Sequence, residues 1–113
     1  MIFQFKEGTS VEVLTDGLLL GLLGLAHVMQ TVLGARVLVI TSVNDGRHKP
    51  GSLHYSGNAV DIRSKTWDRD RVAECVRLFR ASPDGPRYDL LLESPGTQNE
   101  HLHLEYDPEH QNG

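Results

Sequence analysis

A chain of 113 residues, 39% hydrophobic and 23% charged, has the proportions of one globular domain, long enough to bury a core without covalent staples. Its formal charge of -4 argues against nucleic acid or an anionic membrane surface as the main partner. The single cysteine, Cys75, excludes a disulfide within the chain, so stability does not depend on an oxidising compartment.

Met1 to Lys6 has no positive leader followed by an apolar run, so no secretory signal is expected. Residues 1–15 read as a short strand or extended arm, then a polar turn. Asp16 is the expected N-cap of a helix running to about residue 33, with Gly34 as its C-terminal cap. Leu18, Leu22, Leu25, Met29 and Val32 form one helical stripe. Leu19, Leu20 and Leu23 widen it, which predicts a helix in the middle of the fold. The uncharged stretch 17–35 approaches the roughly 20 apolar residues of a membrane span. Its glycines, Gln30 and Thr31 favour a buried soluble helix without membrane insertion, and His27 reads as a core or helix-packing residue.

Residues 36–41 are rich in β-branched side chains and read as a buried strand, followed by a polar loop over 42–53. A second strand is expected over 57–62. An amphipathic helix is expected from Asp68 to about Arg80, with Val72, Cys75, Val76 and Phe79 facing inward. Strands over 88–93 and 102–106 follow, separated by turns, and residues 107–113 form a polar tail. Trp67 and Tyr88 read as packing residues. The expected architecture is α+β: a single domain over 1–113 with a mostly antiparallel sheet and two main helices.

The chemistry is concentrated in two segments, His54-x-x-Gly57-x-Ala59-x-Asp61 and Glu100-His101-Leu102-His103. Catalytic zinc takes three nitrogen or oxygen ligands and a water, and His54, Asp61 and His103 would supply that set. In an extended segment Gly57, Ala59 and Asp61 share a face, and the two small residues leave space above the sheet for a metal and a substrate backbone. His101, His103 and Glu105 share the face of the second segment. Strand parity makes His101 and His103 the natural ligand pair and puts Glu100 on the opposite face. Glu100 reaches the site only if the chain is still in the loop, or bulged, at that point.

The run Ser52-Leu-His54-Tyr-Ser-Gly57-Asn-Ala59-Val-Asp61 resembles the Ser-x-His-x-x-Gly-x-Ala-x-Asp motif of the M15 zinc peptidases. That family includes D-alanyl-D-alanine carboxypeptidases and phage endolysins, and the Hedgehog-type domain shares its fold. Glu100-His101-Leu102-His103 is similar to the family's second motif, a Glu three residues before the last His ligand. The resemblance implies one zinc per chain on His54, Asp61 and His103, with Glu100 as general base. It implies Arg47 as a substrate anion binder and His101 as a residue beside the metal that hydrogen-bonds the reacting group. Arg63 is a second candidate anion binder. Tyr55 is placed to line the cleft, and Ser52 to support its loop. The implied activity is hydrolysis of peptide bonds in peptidoglycan stem peptides, endopeptidase or carboxypeptidase, by a monomer. The enzyme would be made in the cytoplasm of a phage or prophage host and act on the cell wall. The competing expectation is a binding or structural module that keeps the fold and the zinc without turnover.

Overall fold

The computed structural model describes residues 1–44 and 57–106. Arg47, Ser52, His54 and Tyr55 lie outside the described residues, as do His48 and the tail from residue 107.

The chain enters along β1 (Ile2–Phe5), crosses through α1 (Asp16–Leu33) and returns as β2 (Val37–Ser42), parallel to β1. Next come β3 (Ala59–Arg63), α2 (Arg69–Ala81), a 3-10 turn at Gly85–Arg87, β4 (Tyr88–Glu93) and β5 (His101–Tyr106). The five strands form one sheet in the order β1-β2-β3-β5-β4, antiparallel everywhere but at β1–β2. The expected α+β domain is therefore observed.

Both helices pack on one face of the sheet. Leu18, Leu22, Leu25 and Met29 of α1 and Val72, Cys75, Val76 and Phe79 of α2 meet Val60, Ile62, Leu90, Leu102 and Leu104 in the core. Alternation along β3 and β5 sends those apolar residues toward the helices and Asp61, His101 and His103 to the other face. Arg80 donates two hydrogen bonds to the Leu90 carbonyl and ties α2 to β4.

Four details differ from the sequence expectation. Thr15, not Asp16, caps α1: its hydroxyl accepts from the Leu18 N–H at 3.2 Å and donates to Asn58 Oδ1 at 2.6 Å, joining the helix start to the chain entering β3. The helix is not central, because only one side of it meets the core. Leu20 and Leu23 are 66% and 55% exposed. By length and mean hydropathy α1 could span a membrane, but its main stripe is buried in the core. His27 is exposed, since it falls outside that stripe. Finally, β3 starts at Ala59, and Gly57 occupies a left-handed turn with φ +77°. A Cβ there would lie 2.5 Å from the Val13 carbonyl oxygen, so the missing side chain admits the N-terminal arm rather than a metal or a substrate.

Candidate metal centre

The register of three strands builds the site. Asp61 of β3 pairs directly with His103 of β5, and Glu93 of β4 pairs with His101. Directly opposed residues share a face with Cβ atoms about 5 Å apart, so these side chains converge. Ligand atoms of Asp61, Glu93 and His103 all lie within 4.8 Å of one another.

His103 stands among three carboxylates. Its Nδ1 donates to Asp61 Oδ1 at 2.8 Å and lies 3.6 Å from Glu93 Oε1, while Nε2 donates to Glu105 Oε1 at 2.7 Å. Burial pushes the imidazolium pKa down, but the hydrogen bonds the ring donates to Asp61 and Glu105 and the charges of Asp61 and Glu93 outweigh it. The balance raises the pKa to about 9. A proton thus fills the role that a cation would take. With Glu105 holding Nε2–H, Nδ1 is the nitrogen turned to Asp61 and Glu93, the outer-carboxylate arrangement that orients ligating histidines. One imidazole nitrogen and two carboxylate oxygens are a donor set that fits zinc or a similar divalent ion.

His101 is fixed differently. Its Nδ1 donates to the Asn99 carbonyl, and Nε2 points into the site, 3.1 Å from Glu93 Oε1 and 3.7 Å from Asp61 Oδ1. A ligand's oxygen or proton entering the site therefore meets Nε2.

Glu100 immediately precedes β5 and lies in the β4–β5 loop. It borders the same cleft as Asp61 and His101. Its carboxylate is only 7% exposed, however, and Oε1 accepts from Arg69 Nε at 2.8 Å and from the Gly96 N–H at 2.9 Å. The Gly96 N–H, then the Arg69 guanidinium, hold its pKa below the usual carboxylate value. Glu100 is a buried anchor of the β4–β5 loop and lies outside the Asp61–Glu93–His103 group.

Of the implied site residues, the described fold brings Asp61, His101 and His103 together. Glu93 was missed by the sequence reading. It ends the run Leu90-Leu91-Leu92, where alternation is invisible, and only the β4–β5 register places it opposite His101. Cys75 is buried in the core, and burial raises its thiol pKa, as suits a packing residue rather than a nucleophile.

A family model described as the Hedgehog amino-terminal signalling domain matches residues 2–85. No solved structure matches the chain. The matched span includes Asp61, whereas Glu93, Glu100, His101 and His103 lie beyond it and enter the site through the geometry of β4 and β5.

Proposed function

As the chain belongs to the family of the Hedgehog amino-terminal signalling domain, which is grouped with the DD-peptidases, we propose that it is a zinc peptidase acting on peptidoglycan stem peptides. The observation that carries this reading is the Asp61–His103 pair, opposed across β3 and β5 with the Glu93 carboxylate beside it. Asp61 and His103 would hold the ion together with His54 of the same motif, which leaves Glu93, the most exposed of the Asp61–Glu93–His103 group, beside the ion rather than on it. A divalent ion there supplies Lewis acidity and lowers the pKa of a bound water to about 7.

The chain's own residues do the rest. Glu93 is 44% exposed and stands next to His101 and His103, so its Oε1 can take a proton from the attacking water and return it to the leaving amine. The M15 resemblance implies Glu100 for this task. The geometry favours Glu93, because Glu100 is anchored by Arg69 and Gly96 and its lowered pKa makes it a poor base. His101, its tautomer set by the Asn99 carbonyl, offers Nε2 to the reacting group. Glu105 orients His103.

Incubation of zinc-loaded protein with purified peptidoglycan, followed by mass spectrometry of the fragments, tests this reading. New peptide ends that vanish on chelation are expected. An unchanged profile across wall types would favour the second reading, a zinc-bearing binding module. That reading draws support from the matched family being a signalling domain and from the anchoring of Glu100.

A further inference from the structure

The two edges of the sheet, β1 and β4, are finished differently. The Tyr106 N–H donates to the Asn58 carbonyl, so the even-numbered residues of β5 turn their backbone groups to β3. Leu90, opposite Leu104, therefore turns its carbonyl to the outer edge of β4, and Arg80 of α2 covers it with two hydrogen bonds. Asp89 and Glu93 add charge to that strand. Cover and charge are what keep a sheet edge from adding another strand. Strand β1 has neither. Ile2–Phe5 carries no charge, no proline and no bulge, and Ile2 and Phe5 are exposed. The N–H groups of Ile2 and Lys6 donate to the Arg36 and Ile40 carbonyls, both at 2.8 Å, so the even-numbered residues face β2. Phe3 and Phe5 thus turn their N–H and C=O groups outward. Among the described residues those four groups have no partner.

The open edge is complementary to itself. Residues directly opposite in an antiparallel pair share a face, and a hydrogen-bonded pair exchanges both of its bonds. A two-fold axis perpendicular to the sheet can set Phe3 of each copy opposite Phe5 of the other. All the outward groups of both strands are then satisfied. Phe3 packs against the core on the helix side, so each Phe3–Phe5 pair also forms a cross-strand aromatic contact on that face. Gln4 falls on the axis, opposite itself. Lys6, the nearest charge, sits about 14 Å from its copy, beyond the screening length at physiological salt. We propose that β1 is a self-association edge, through which two copies of this chain pair antiparallel along Ile2–Phe5 into one continuous sheet. The axis keeps both Asp61–Glu93–His103 groups on one face, about 24 Å apart, five strand spacings. So short an edge belongs with small, transient interfaces, so the chain is a weak, reversible dimer in place of the expected monomer. The proposal stands apart from the metal-site reading.

Sedimentation of the full chain from about 10 μM to about 1 mM, the range of a weak interface, tests it. The average mass should climb toward that of two chains. Gln4 is exposed, so Gln4→Lys and Gln4→Glu leave the fold intact while each sets like charges opposite one another across the axis. Either variant alone should dissociate at about tenfold or more higher concentration than the wild type. An equimolar mixture of the two should recover wild-type association or better, which a folding defect could not produce. A wild-type chain that stays monomeric to about 1 mM would overturn the proposal and leave the edge to an extended peptide of another protein. Single variants that associate as well as the wild type, or a mixture no tighter than its components, would overturn it too.

Discussion

At the scale of single residues, proton and metal compete for His103. A folded-state pKa raised from 6.5 to about 9 means that the His103 proton stabilises metal-free protein fully below pH 6.5. That contribution fades as pH rises through 9. Urea unfolding of metal-free protein should therefore show lower stability at high pH, and the trend should flatten in His103→Asn. Zinc needs the neutral ring, so its affinity should strengthen as pH rises toward 9, with proton release visible in weakly buffered titrations. Glu100 has the opposite sign. Its lowered pKa gives a contribution present above the ordinary carboxylate value and lost as acid protonates it. The two glutamates also separate by function. Glu93→Gln should lower turnover by about 10²- to 10⁴-fold while zinc stays bound, the range for loss of a general base. Glu100→Gln should chiefly loosen the β4–β5 loop, read as faster amide exchange at Gly96. If Glu100→Gln abolished turnover in a protein with an intact loop and Glu93→Gln did not, the base would be Glu100, as the motif resemblance implies.

At the scale of elements, α1 shows how glycines on one helix differ. Gly21 lies under the Tyr88 ring, where an added Cβ would come within 2.2 Å of Cε1. That ring also stacks edge-on with Phe79 and donates its hydroxyl to the Gly17 carbonyl, so it has little freedom to withdraw. Gly21→Ala should destabilise by about 1–3 kcal/mol, as overpacking does. Gly24 has only Phe79 Cε1 nearby, at 3.8 Å. Gly24→Ala should stabilise by about 0.5–1 kcal/mol, the helix-propensity gain. Thermal unfolding of the two variants checks both signs. The sequence shows both glycines on an apolar helix, but not which one a ring covers. Helix α2 was legible almost to the residue, because Asp68 caps it through the Arg71 N–H and its apolar positions repeat at helical spacing. The start of α1 was misread because Thr15 and Asp16 are both good caps and only the link to Asn58 selects Thr15.

At the scale of the whole molecule, alternation along β5 was readable because Leu102 and Leu104 interleave with His101 and His103. The pairing of Asp61 with His103 could be anticipated as a convergence of two motifs. Glu93 could not, since its partner is set by sheet order, with β5 between β3 and β4. Alternation along β3 and β5, with both helices on one side, explains why one face of the sheet serves packing and the other carries Asp61, His101 and His103. The proposed holding of a metal by Asp61 and His103 is tested by the zinc content and affinity of the purified wild-type chain and of Asp61→Ala. About one zinc per chain is expected for the wild type, as for a catalytic zinc site, with binding weakened at least a hundredfold by the substitution. A wild-type chain that takes up no zinc, or an Asp61→Ala variant that binds it equally well, would contradict the account.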